Sequence, residues 1–432
     1  MNCARYLSMT VASLCLTLNA GAVPGIGFLY VPSVGATDNL QGAVGGVDAG
    51  DYRVAVYIRV AGGWWTKPTF SNPLTVIQPD LTWTCAIATG GADPCASDLA
   101  AFLVPTTYMP PLVSGQTVLP AELQTNAVAQ VSTNRLALHF SGYDWAIKDS
   151  CGTLVGPGPN LFSASASNVW VDAQGALHLR ITHANSEWQC AEIVSQRSFG
   201  YGTYRFYVQG AVDALDLNAV LGLFTWSDDP AYAHREIDVE LSRWGNAADT
   251  NNAQFVVQPW DSSGHRSRFQ VPAGLTNTTF SFNWATNQVP FQCYQGWLLS
   301  PPGSDPPLLQ WTFDQAGVPV PGGENARLNL WLNNGAPAAS DEPVEVVISR
   351  FVFVPAQIPA PTITDARVLP NMELRLQAQG EPQLSYVFQA SSNLIDWLSV
   401  STNFTIEGPL EFFDTNAVRL PRRFYRLLAP SQ

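Results

Sequence analysis

The chain has 432 residues, more than one ordinary core accommodates, so two or three domains are expected. Its formal net charge is −13 and it carries no basic run, which excludes a nucleic-acid partner and argues against an anionic lipid surface. Only 13% of residues are charged, against 33 glycines and 32 prolines, a balance that suits β-rich modules with many turns rather than helical ones.

Residues 1–22 read as an export leader: Arg5 supplies the positive start, Leu7 to Leu18 is mostly apolar, and Ala20-Gly21-Ala22 offers a small-residue cleavage site. The apolar run falls short of the ~20 residues a spanning helix needs, and no later stretch is long enough, so membrane insertion is not expected. A secreted, periplasmic or cell-surface location follows. Cleavage near Ala22 removes Cys3 and Cys15 and leaves five cysteines. Cys85 and Cys95 flank a Gly-Gly turn and are expected to form a local disulfide. Among Cys151, Cys190 and Cys293 at most one further bridge can form, and the spacing does not choose the pair.

Residues 23–135 alternate short strands and turns and read as an immunoglobulin-like β accessory module. Arg53–Val60 is a strand of mixed facing, and Leu81–Ile87 alternates more regularly. Trp64 and Trp65 could stack on sugar rings, although packing in a core or a domain interface is the simpler reading.

Residues 136–355 hold the chemistry. Asn168 to Ile181 reads as two strands joined by a tight turn at Gly175, and further strands follow at Tyr201–Val208, Val220–Trp226, Arg235–Leu241, Ala253–Gln258, Leu328–Leu332 and Val344–Val354. Antiparallel strands without helical crossovers imply an all-β sandwich or jelly roll. The Pro-rich stretch Val354–Pro361 is expected to be a stiff linker into a small carboxy-terminal β-sandwich module, so the third domain takes residues 356–432.

The informative motif is Glu236-Ile237-Asp238-Val239-Glu240. Side chains alternate along a strand, so the three acids share one face while Ile237 and Val239 point into the core. Three acids in a row repel one another and lose hydration, which raises at least one pKa, an arrangement a strand built only for stability avoids. Glycosidic cleavage calls for such a set: one carboxylate attacks the anomeric carbon while a protonated carboxyl serves the leaving oxygen. Retaining enzymes hold the pair about 5–5.5 Å apart. Four residues of strand separate Cα atoms by ~13 Å, so the two Glu side chains must lean together around Asp238. An acidic solvated edge strand or a calcium site is the competing reading. Trp226, Tyr232, Trp244 and Trp260 nearby favour a sugar-binding cleft.

The order Tyr201-Gly202-Thr203-Tyr204, Leu223-Phe224-Thr225-Trp226, Glu236-Ile237-Asp238-Val239-Glu240 and Asn329-Leu330-Trp331 resembles glycoside hydrolase family 16, over roughly residues 136–355. That resemblance implies a concanavalin-like jelly roll and a secreted, endo-acting retaining hydrolase of a β-linked polysaccharide, first of all a β-1,3/1,4-glucan. It implies Glu236 as nucleophile, Asp238 as its electrostatic assistant and Glu240 as acid/base. Trp226, Trp244, Trp260 and Trp331 are the candidate sugar-binding aromatics, with core packing the competing reading for each. The single residue between Asp238 and Glu240 is similar to lichenases and xyloglucan enzymes. Arg205 stands where the family often has Glu. His234-Arg235, directly ahead of the motif, has no explanation in the pattern, and on a regular strand Arg235 faces away from Glu236. Gln254 and Gln258 fall on one strand face, each suited to bond a sugar hydroxyl or else simply solvated.

No serine has a matched His–acid pair, and the five histidines lack zinc-ligand spacing. No cofactor is required; the fold can carry a structural calcium ion, whose ligands the pattern does not locate. Two other functions fit the same fold, a non-catalytic carbohydrate-binding protein and a transglycosylase.

Overall fold

A computed structural model describes residues 23–184, 186–297, 306–357, 360–382, 384–404, 409–417 and 422–429. The leader expected over residues 1–22 lies outside the described residues. These residues fall into two compact units, one running up to Ala137 with Asp149–Gly152 and Ser163–Ala166, the other taking Leu138–Lys148, Thr153–Phe162 and the chain from Ser167 on. No helix of the described residues is long and apolar enough to cross a membrane.

The first unit places a three-stranded sheet (Gly25–Tyr30, Leu40–Gly45, Thr82–Cys85) and a six-stranded sheet centred on Tyr52–Val60 around a shared core. The mixed facing of that central strand has a physical reason: Val54, Val56 and Ile58 enter one core, while Ala55 and Tyr57 enter a second on the far side. Trp65 packs against the first core and Trp64 against the second. One short helix, Ala121–Asn126, covers the second core through Leu123.

The disulfide corrects the expected Cys85–Cys95 pairing. Cys85 ends a strand, is buried in the core at 1% exposure and keeps a free thiol. Cys95 pairs with Cys151 instead, their Cα atoms 5.7 Å apart. Asp149 accepts the Ala164 backbone N–H at 2.9 Å, so two later loops join this unit. Cys85, Cys190 and Cys293 are buried free thiols, pushed up by burial to about 11, 12 and 12.

The second unit is a jelly roll. Six strands form the layer that carries the Glu236–Glu240 motif: β1 (Glu187–Ser195), β2 (Ala219–Trp226), β3 (Ile237–Leu241), β4 (Ala253–Val257), β5 (Arg266–Phe269) and β6 (Asn325–Leu332). Their order across the sheet is β5-β4-β3-β2-β6-β1, and all these pairings are antiparallel. The sheet continues through Leu177–Ala184 and Val344–Pro355 into a second layer containing Gly202–Gln209, Asn277–Trp284 and Val289–Gln295. The layers meet through aromatic rings, with Phe255 of β4 stacked 5.0 Å from Phe291. Val169–Val171 pairs with Leu177–Ala184 across a turn in which Gly175 has φ +82°, a left-handed conformation open to glycine.

Val354-Pro355 belongs to a strand, paired with Thr203 and Gly202, so the expected linker begins later than the proline pattern suggested. Beyond it, two three-stranded sheets close around Leu376, Tyr386 and Phe388, against which Val354 packs. Arg197 holds Glu381 through two hydrogen bonds of 2.6 and 3.1 Å, and Tyr143 donates to the same carboxylate at 3.2 Å.

Candidate active site

The apolar face of the β5-β4-β3-β2-β6-β1 layer is built by simple alternation: Ile237, Val239 and Leu241 of β3, Leu221 and Leu223 of β2, and Leu328 and Leu330 of β6 are all at most 1% exposed. The opposite face carries the polar residues in register. Glu240 stands across from Gln254 on one side and Gly222 on the other; Gly222 pairs with Asn329, and Asn329 with Glu192. Asp238 stands across from Phe224, which pairs with Arg327. Glu236 lies just before β3 in extended conformation and continues the alternation. All three acids line one cleft of about 260 Å³.

Glu236 is aimed by an unusual turn. Tyr232, Ala233, His234 and Arg235 have φ of 55°, 50°, 62° and 55°, four successive side-chain-bearing residues in the left-handed region, each costing roughly 1–2 kcal/mol. The turn is held from several directions. Ser227 N–H donates to the His234 carbonyl at 2.7 Å, and the His234 ring bonds the Ser227 carbonyl at 2.9 Å. Arg235 reaches Asp229 at 2.9 Å and the Val320 carbonyl at 2.9 Å. Thr225, fully buried, donates to the Arg235 carbonyl at 2.8 Å and accepts the Ile237 N–H at 3.2 Å. His234 lies flat on Trp226 at 4.1 Å and 7°. This is the structural account of His234-Arg235: they turn the chain sharply into β3, so the regular-strand reading of Arg235 does not apply.

Asp238 is 2% exposed and hydrogen-bonds Glu236. Gln258 Nε2 donates to Asp238 Oδ2 at 3.1 Å, and Gln254 Nε2 donates to Glu240 Oε2 at 2.7 Å. Both glutamines therefore engage the acids directly. Arg268 anchors Gln254 at 3.1 Å and is itself held by Asp249 at 2.6 Å. Burial, and then the charge of Glu240, pushes Glu236 up to about 8, while the bond from Asp238 and the Arg327 charge pull it down. Asp238 is raised well above the ordinary range by burial and by both neighbouring carboxylates. Burial also raises Glu240, opposed by Gln254, Arg268 and Arg266. The three carboxyls thus compete for fewer charges than they could carry in water.

Of the expected aromatics, Trp226 and Trp331 line the cleft with the acids. Trp244 packs edge-on against Trp331 at 5.9 Å. Trp260 lies on the loop after β4, 53% exposed, with Arg266 5.1 Å from its ring. Sequence reasoning missed Glu192, Lys148 and Arg327, which also line the cleft. Glu192 is 1% exposed and held by Lys148 at 2.9 Å and Arg327 at 3.3 Å. Only the cross-strand register, which joins residues far apart in the chain, brings them together. Among the described residues no group of three or more His, Cys, Asp or Glu side chains is placed to hold a metal ion.

No family model and no curated protein matches the sequence. Similar solved structures include a Bacillus licheniformis β-glucanase, 21% identical with a TM-score of 0.39, covering 51% of this chain and 95% of that one. A β-1,3-1,4-glucanase (lichenase) derived from a mouse hindgut metagenome is 21% identical with a TM-score of 0.37, covering 51% and 98%. A Mycobacterium tuberculosis protein, called an immunostimulatory antigen and pseudo β-1,3-glucanase, is 17% identical with a TM-score of 0.37, covering 50% and 95%.

Proposed function

We propose that the protein is a secreted, endo-acting retaining glycoside hydrolase of a β-linked polysaccharide, with a β-1,3/1,4-glucan the first substrate to test. The observation that carries this reading is the acid row itself: Glu236, Asp238 and Glu240 line one cleft together with Trp226 and Trp331 of the same sheet. Burying three carboxyls against one another lowers stability, and a cleft that bound sugar only through stacking and hydrogen bonds would gain nothing from it.

In this reading Glu236, ionised, attacks the anomeric carbon and forms a glycosyl ester as Glu240 gives its proton to the departing glycosidic oxygen. Water then attacks the same carbon, Glu240 takes a proton from it, and Glu236 leaves as carboxylate. Asp238 keeps its proton throughout and donates a hydrogen bond to Glu236, which steadies the carboxylate form needed at both steps. The productive triad therefore carries one charge, on Glu236, and two protons, the alternative to the arrangement in which Glu240 is charged and Glu236 holds the proton. Residues 23–135 and 356–432 are proposed as accessory modules.

A 2-fluoro glycoside with a good leaving group tests the mechanism, because it slows breakdown of the ester. Mass spectrometry of the digested protein should find the sugar on the peptide containing Glu236. Turnover with inverted anomeric configuration in the first-formed product would overturn the retaining assignment.

A further inference from the structure

Gln254 and Gln258 look equivalent in the sequence, two residues of one strand face, yet they are locked by different partners. Gln254 is oriented by a side chain, Arg268. Gln258 is oriented by backbone: the Trp260 N–H donates to its Oε1 at 2.8 Å. A flipped amide would set the Gln258 NH2 against that N–H, donor facing donor, so the amide has one satisfactory orientation. Its NH2 must face Asp238.

We propose that Gln258 is a positioning residue that decides where Asp238 carries its proton, and through it the ionisation of Glu236. The inference rests on the catalytic reading of the same site. An amide N–H donated to Asp238 Oδ2 favours that oxygen as the bare acceptor and leaves the proton to Oδ1, available to Glu236. With no donor at Oδ2 the Asp238 proton is free to sit there, and a bare Oδ1 would then require the proton from Glu236. Gln258 also continues the ladder opposite Glu236, whose carbonyl accepts its N–H at 3.1 Å, so it is fixed to the element it controls. Glu236 and Glu240 face Asp238 from its own segment, Arg327 with its partner Glu192 from across β2, and Arg266 and Arg268 from beyond β4. Gln258 is distinct among these groups as an uncharged donor bonded to Asp238, so it sets the proton's position without adding charge. Its anchor, the Trp260 backbone, belongs to an exposed residue of the loop after β4.

The test is a carboxyl-carbon NMR titration of the full protein, wild type against Gln258→Leu, with kcat and KM measured across pH on a glycan the wild type cleaves. Loss of one hydrogen bond should move the Glu236 titration, and the rising limb of kcat/KM with it, upward by about one pH unit. At neutral pH kcat should fall by about tenfold while KM stays within about threefold. Gln258→Glu, which preserves size and the bond from Trp260, should lose activity progressively as the new carboxyl ionises and its donor disappears. An unmoved Glu236 titration in folded Gln258→Leu would overturn the proposal, as would Gln258→Glu matching wild type at every pH. Wild type inert on every glycan would sink the catalytic reading, while the titration would still decide the role of Gln258.

Discussion

Two central strands, each hydrogen-bonded to antiparallel partners on both sides, spend their side chains differently. In Tyr52–Val60 every residue from Val54 to Ile58 is at most 1% exposed, and both faces are apolar except for the Tyr57 hydroxyl, which donates to the Pro111 carbonyl at 2.9 Å. In β3 only one face is apolar; the other carries Asp238 and Glu240, with Glu236 just ahead. The first strand gains burial from both faces. The second gives up half of that gain and adds desolvated carboxyls, and the strained turn before it adds a further cost. Such local disregard for stability, on a well-supported strand, supports the proposed active site.

The comparison can be broken most sharply at Glu240. Glu240→Gln should lower kcat/KM on a natural glycan by about 10²–10⁴-fold, and far less on an aryl glycoside whose leaving group needs no proton. Equal losses on both substrates would remove Glu240 from the acid role. On the other strand, Ile58→Ala should cost about 2–5 kcal/mol in urea unfolding while turnover per folded molecule stays unchanged.

A smaller effect separates the strands by pH. A carboxyl held above its unfolded value contributes stability that is complete below that value and fades as pH rises through the folded one. With Glu236 at about 8 and Asp238 well above its ordinary range, wild-type stability should decline as pH rises from the ordinary carboxyl range toward about 8. Asp238→Asn should therefore raise the thermal midpoint most at alkaline pH and little near pH 4, while slowing turnover. A pH-independent difference would contradict the burial of an ionisable triad. The smallest expected change is at Ala233, whose φ of 50° suits glycine. Ala233→Gly should add up to about 1 kcal/mol of stability and reduce kcat by loosening the aim of Glu236. Loss of stability there would mean the turn is unstrained.

Much of this was legible in the sequence because it is local. Period-two alternation set the acids on one face and Ile237 and Val239 on the other, and Gly175 marked its hairpin. What escaped notice is non-local or conformational. Spacing points Cys95 to Cys85, whereas its partner, Cys151, lies 56 residues away and is brought to it by the fold. Glu192 and Arg327 meet because β1 and β6 are neighbours in the sheet, which no pattern along the chain reveals. The left-handed turn at Tyr232–Arg235 contains no glycine to announce it. The glutamines were visible as a pair on one face, but their partners depend on the side-chain reach of two facing strands.

The most direct measurement of the central claim is reducing-end release from β-glucans, galactans and xyloglucan by wild type and Glu236→Gln side by side. The account predicts release from at least one glycan by wild type, lost in the variant, with folding and glycan binding retained. Release by the folded variant at the wild-type rate would contradict the assignment of Glu236, and silence from wild type on every glycan, with binding intact, would make the cleft a sugar-binding site without catalysis.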